Sequence, residues 1–335
     1  MKMIPVVLLA VLTAVFAANA AAPMPIKFGT LAPQGSPWDA IMREMGGTLK
    51  TETAGELELR IYAGGVAGDE PDMVRKMRVG QLHAAALTVM GLGQIAPEMN
   101  ALQMPMLFRS YDEMDYVMNE MAPKLDAILQ KQGFKVLNWV DAGWVHLFSQ
   151  APVVRPADLK PQKLFVWLGD TAAVEAWKAE GFSPVPLPAT EIYTGLQSGL
   201  INAFSTTPLA ALSFQWFGLA RNMTDLKWAP LVGATVITLK KWREIPEPHQ
   251  FALSRSAAVA GDRVRKETRK LGDEAVAIMK QHGLTVVPVP REAAAEWEHS
   301  VRATYPRLLE KGTPTNVLHV MERIRDDYRA SNPAK

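Results

Sequence analysis

The 335-residue chain contains no cysteine. This excludes thiol catalysis, thiolate metal sites, disulfide staples and the acylated cysteine of a lipoprotein. Neither sign of charge dominates: 36 Lys and Arg stand against 34 Asp and Glu, spread along the chain. There is no basic stripe, so nucleic acid is not an expected partner. The charges at Arg263 to Lys270 and Glu322 to Arg329 read as solvated helix faces. Gly64, Gly65 and Gly68 lack the order of a dinucleotide fingerprint, and neither a P-loop nor a G-x-S-x-G elbow occurs. The histidines (His83, His146, His249, His282, His299, His319) are scattered, with no pair at the spacing of a helical zinc site. Asp112 and Glu113 sit side by side on a helix that reads as exposed. Catalysis needs convergent titratable groups and none is signalled, so a binding protein without a cofactor is expected.

Long apolar runs are missing after the N-terminus, as are low-complexity tracts and fixed-period repeats. At the N-terminus itself, Lys2, the apolar stretch Ile4 to Phe16 and the small residues Ala18-Asn19-Ala20 read as a cleavable secretory signal over 1–22. The apolar run falls short of the ~20 residues a spanning helix needs. The mature chain is therefore expected free in the periplasm. About 310 residues remain, more than one core usually holds, so two lobes are expected.

Short apolar runs alternate with helical stretches. The runs are Ile26 to Phe28, Leu57 to Tyr62, Ala84 to Leu87, Val136 to Val140, Lys163 to Val166, Ala203 to Ser205 and Ala234 to Thr238. The helices are read at Trp38 to Glu52, Glu70 to Val79, Tyr111 to Lys131, Thr171 to Glu180, Ala189 to Ser198 and Pro248 to Gln281. This order argues for an α/β fold with mostly parallel sheets, whose ligands bind beyond the carboxyl ends of the strands. The last helix is long enough to cross and brace two lobes.

The segment from Gly181 to Pro208, GFSPVPLPATEIYTGLQSGLINAFSTTP, carries the most information. It reads as a short strand, a helix with Thr190 and Glu191 at its start, and a second strand. Ile192, Leu196 and Leu200 give the helix an apolar side, and Gly199 stops it. Gly181, Pro184, Pro186, Glu191, Tyr193, Leu196, Gln197, Gly199, Asn202 and Ala203 match a pattern of the DctP-type solute-binding proteins of tripartite ATP-independent periplasmic (TRAP) transporters, which this run resembles. Nearly the whole chain shares the resemblance: Ile61 to Thr88 (with Ala63 where proline is usual), Gly91 to Phe108 (with Met106 for a usual phenylalanine), Gly133 to Ser149, and Asp158 to Trp167. After Pro208 it fades, although Trp216, Trp228 and Trp242 continue an aromatic pattern.

The resemblance implies a periplasmic-binding-protein-like fold with hinge strands and a bracing helix. The lobe boundaries expected are 23–146 plus 234–277 for lobe I and 147–233 plus 278–330 for lobe II. It also implies a ligand held between the lobes and passed to TRAP membrane permease subunits. In the family two arginines pair with the ligand's carboxylate; their positions here are Val145 and Phe165. A carboxylate buried without a cation costs several kcal/mol, so a hydrophobic or amphipathic, lipid-like ligand is expected. The expected contacts are Trp38, Met90, Trp144, Val145, His146, Phe165, Trp167, Leu168, Phe204, Ser205, Thr206 and Thr207. Met104 and Met106 read as adaptable fillers, and Tyr193 and Gln197 as supports of the hinge or helix start. The loss of both arginines also resembles a branch whose members work with a tetratricopeptide-repeat periplasmic protein. Two alternatives stay open: a periplasmic lipid carrier or chaperone with a helical-repeat or envelope partner, and an organic-acid binder that uses another cation such as Arg155 or Arg109. The C-terminal segment Thr315 to Tyr328 either packs on its own chain or pairs two copies.

Overall fold

The computed structural model describes residues 22–311 and 314–332. Apart from Ala22, the expected secretory segment lies outside the described residues. The chain runs β1 (Met24–Gly29), α1 (Pro37–Glu52), β2 (Leu57–Tyr62), α2 (Glu70–Arg78), β3 (Ala84–Thr88), α3 (Val89–Ile95), α4 (Tyr111–Lys131) and β4 (Phe134–Trp144). It continues through β5 (His146–Ser149), α5 (Pro156–Leu159), β6 (Lys163–Trp167), α6 (Thr171–Ala179), β7 (Ser183–Leu187), α7 (Ile192–Ser198), β8 (Ala203–Thr206), α8 (Pro208–Ser213) and β9 (Asn222–Thr224). It ends with β10 (Pro230–Thr238), α9 (Leu239–Glu244), α10 (Glu247–Gln281), β11 (Thr285–Val287), α11 (Arg291–Lys311) and α12 (Thr315–Ser331).

Local chemistry explains several of the helix starts. Ser36, Asp69, Thr88 and Thr207 each sit in extended backbone, and their side-chain oxygens accept an N–H of the first turn of α1, α2, α3 and α8. Pro37, Pro71 and Pro208 occupy early helical positions, where a missing N–H costs nothing. Gly199 closes α7 with φ +71°, a left-handed conformation that glycine adopts without strain.

Two sheets form, ordered β2-β1-β3-β10-β4 and β11-β9-β5-β8-β6-β7. Each is parallel except for one strand: β10 in the first and β5 in the second. Both reversed strands follow from how the chain crosses between lobes. β4 leaves the first sheet and, with only Val145 between, becomes β5 of the second. The chain returns between Thr224 and Pro230 to become β10. The two crossings are bonded to each other, since Val145 N–H donates to the Ala229 carbonyl (2.8 Å) and Trp228 N–H donates to the Val145 carbonyl (2.9 Å).

The third connection is α10, 35 residues with its one proline in the first turn. At roughly 1.5 Å per residue it spans about 50 Å. Leu253 near its start packs with Ile26, Phe28 and Ile237 of the first sheet; Met279 near its end packs with Phe148, Phe204 and Leu284 of the second lobe. The expected bracing helix is therefore present.

The C-terminal part departs from the expected lobe boundaries. α11 packs on the second lobe, burying Trp297 with Leu159 and Leu164. α12 turns back: Val317, Leu318 and Met321 enter the first lobe's core beside Met114, Val117 and Met121. Arg329 of α12 pairs with the buried Glu113 of α4. The stretch 314–330 belongs with the first lobe because its apolar face matches α4, a long-range fit that no local pattern encodes.

Candidate ligand cleft

The two sheets face each other across a cleft of about 340 Å³. The first lobe contributes the residues that follow β1 and end β3 (Thr30, Leu31, Thr88) and the middle of β10. Trp38 and Ile41 of α1 close one side. From the second lobe come Phe165 and Trp167 of β6, Ser205 and Thr206 of β8, and the 3-10 turn Ala189–Glu191 that precedes α7. These are carboxyl ends of parallel strands, where open α/β sheets place ligands. Strand alternation sets the wall: in KLFVW, Phe165 and Trp167 point to the cleft while Leu164 packs behind with Val153 and Leu159.

A second chamber of about 210 Å³ lies beyond β6, between the second sheet, α6 and α11, with Met90 and Gln103 from the first lobe at its edge. Phe165, Trp167, Ser205, Thr206 and Leu231 belong to the walls of both chambers and form the partition between them.

The walls carry several hydroxyls and amides, among them Thr30, Thr235, Ser300 and Gln103, but few charges. Among the described lining residues there is no lysine, arginine or histidine, and the charged ones are Glu70 and Asp170. Burial pushes Glu70 up to about 7. Opposing this, its carboxylate accepts Thr88 N–H (3.0 Å), the Thr88 hydroxyl (2.8 Å) and Gly91 N–H (2.7 Å). Asp170 is likewise raised by burial and caps α6 through Ala173 N–H at 3.0 Å. Asn138 of β4 donates from Nδ2 to the Ala257 carbonyl at 2.6 Å, while its buried Oδ1 has no partner within the protein. Asn138 lines the cleft opposite Thr235 of β10.

The structure divides the expected contact residues. Trp38 lines the cleft, Met90 and Val145 line the second chamber, and Phe165, Trp167, Ser205 and Thr206 line both. The other five stand outside both walls. Phe204 stacks on Phe148 at 5.2 Å in the second lobe's core and is fully buried there. Thr207 is fully buried as the cap of α8. Leu168 is 52% exposed in the turn after β6. Trp144 packs against Tyr111 in the first lobe, ring centroids 5.6 Å apart, and His146 faces the Thr224 carbonyl at 3.2 Å, its pKa lowered by burial. Consecutive side chains of an extended chain alternate, so of Trp144, Val145 and His146 only the middle one reaches a chamber.

The two candidate replacement cations do not reach either chamber. Arg155 pairs with Glu296 of α11 on the surface, and Arg109 is absent from both walls. Tyr193, expected only as a support, lines the mouth of the cleft. Asn138, Glu70, Leu231, Trp177 and Trp297 went unread in the sequence. They are distant in the chain and ordinary in type, and only the fold gathers them. Trp228 was visible only as part of an aromatic run.

Residues 28–311 match the family model DctP, described as bacterial extracellular solute-binding protein, family 7. A curated relative, the 2,3-diketo-L-gulonate-binding periplasmic protein YiaO of Escherichia coli K12, is 28% identical over 278 residues, covering 82% of this chain and 84% of the relative. Among solved structures, a TRAP periplasmic solute-binding protein from Citrobacter koseri with bound D-glucuronate is 25% identical with a TM-score of 0.79, covering 90% of this chain and 99% of that one. Another from Ralstonia eutropha H16, with bound (S)-2-acetolactate, is 19% identical with a TM-score of 0.84, at 90% and 99% coverage. The match spans most of the chain and both lobes, and this protein belongs to family 7 of the bacterial extracellular solute-binding proteins, the DctP family of TRAP transporters.

Proposed function

We propose that this TRAP solute-binding protein captures a neutral, largely apolar ligand in place of the acids held by the relatives above. The observation that carries this reading is the charge of the walls: two carboxylates and no cation among the described lining residues. A bound carboxylate would lose its hydration without gaining a guanidinium, at a cost of several kcal/mol, and would sit beside Glu70 and Asp170. Burying hydrocarbon against Trp38, Phe165, Trp167 and Phe214 contributes ~25 cal/mol per Å². Trp38, Met90, Val145, Phe165, Trp167, Ser205 and Thr206 are the contacts retained from the sequence reading.

Capture proceeds by closure of the lobes about the paired crossings at Val145 and Trp228-Ala229, with α10 holding their alignment. The closed protein then docks on the membrane permease. The working compartment is the periplasm, reached through the N-terminal signal. The test is to purify the secreted protein natively, extract it with organic solvent and identify released molecules by mass spectrometry, with thermal shift against D-glucuronate alongside. A stoichiometric neutral hydrophobe and no shift with D-glucuronate are expected. A released organic acid, or several degrees of stabilisation by D-glucuronate, overturns the reading.

A further inference from the structure

The second chamber offers about 210 Å³. Its shape comes from named features. Ala172, Ala173 and Ala176 present a small face of α6 to it. Trp177 of the same helix begins a row of three indoles: it stacks on Trp228 at 5.7 Å, and Trp228 meets Trp297 edge-on at 5.8 Å. The rings hold each other open, and the alanines leave the space unfilled. Its lining is mainly apolar, and hydrocarbon placed there gains by leaving water.

We propose that the ligand carries a single hydrocarbon chain, which passes the Phe165–Trp167–Leu231 partition from the cleft into the second chamber. This inference rests on the neutral, apolar reading of the cleft and adds to it a tail site. The partition residues belong to both lobes, Leu231 to β10 and the two aromatics to β6, so a threaded tail bridges the lobes and favours closure.

The probes are 1-hexanol, 1-nonanol and 1-dodecanol, with D-glucuronate, titrated against the full protein by tryptophan fluorescence and calorimetry. Affinity is expected to rise about fourfold per methylene up to 1-dodecanol. Ala173→Phe and Ser300→Phe fill the chamber from α6 and α11, and each is expected to weaken 1-dodecanol at least tenfold more than 1-hexanol. Either variant suffices if the other fails to fold. If 1-dodecanol binds no tighter than 1-hexanol, or if both filled variants treat them alike, the tail site falls while the apolar cleft stands. If no alcohol binds and D-glucuronate does, the reading beneath the inference falls with it.

Discussion

Asp69 Oδ2 accepts the backbone N–H of Ala189 at 2.9 Å, joining the start of α2 in the first lobe to the turn before α7 in the second. Its Oδ1 takes Glu70 N–H at 2.9 Å, so one carboxylate caps a helix and fastens the cleft. The neighbouring backbone is equally close: a Cβ at Gly65, where φ is +77°, would lie 2.7 Å from the Thr190 methyl. Asp69→Ala removes a cap worth about 1 kcal/mol and the crossing bond, worth about 1 kcal/mol more. Its unfolding midpoint should fall, and its scattering profile without ligand should shift toward a larger radius of gyration. A profile and ligand affinity identical to wild type would show that this bond does not bias closure.

Much of the fold was visible in the chain because period and turn chemistry are local. The run Gly181 to Pro208 showed β7, α7 with its Gly199 stop, and β8, and the α10 helix was legible from its uninterrupted length. The two positions without arginine were legible for the same reason, since they sit in strand blocks that the resemblance aligns. The rest depends on distant contacts. That Val145 reaches a chamber while Trp144 and His146 do not follows from the crossover geometry. That α12 joins the first lobe follows from its fit to α4. The second chamber is assembled from residues between Met90 and Leu308, too far apart for any window to relate.

Glu70 makes stability depend on pH in a defined direction. Its carboxyl is raised by burial to about 7, above the unfolded value of 4.5. The folded state therefore binds the proton more tightly than the unfolded state. The associated stability is fully present below pH 4.5 and is lost as pH rises through about 7, by on the order of 3 kcal/mol. Chemical denaturation at a series of pH values should show this fall. Glu70→Gln should flatten it, while destabilising at low pH because an amide cannot accept from donors on both of its heavy atoms. An unchanged slope in Glu70→Gln would assign the pH dependence to another group.

Arg269 of α10 holds two elements of the first lobe at once. Its guanidinium pairs with Asp115 of α4 at 2.6 Å and Asp141 of β4 at 2.7 Å, and lies 4.2 Å from the centre of the Tyr111 ring. Burial opposes its charge, yet the two carboxylates hold its pKa above the ordinary arginine value. Asp141 is 1% exposed. Removing the cation by Arg269→Met strands that carboxylate and should cost about 3 kcal/mol in urea unfolding. The double variant Arg269→Met with Asp141→Asn should recover a large part of the loss. Additive losses would mean that the pair does not act as a unit.

Phe165→Arg tests the charge logic of the cleft directly. Phe165 is 3% exposed, lies 5.9 Å from Trp167 ring to ring, and forms part of the partition between the two chambers. A guanidinium there loses water among apolar neighbours, so the ligand-free variant should unfold several degrees below wild type. A carboxylate offers the missing partner in two parallel hydrogen bonds. D-Glucuronate should therefore raise the midpoint of Phe165→Arg and leave wild type unmoved, while 1-dodecanol should bind the variant at least tenfold more weakly. The crossed pattern matters more than either value alone: a merely damaged cleft would lose the alcohol without gaining the acid. If the variant keeps wild-type stability and alcohol affinity, Phe165 does not form the wall of the ligand site.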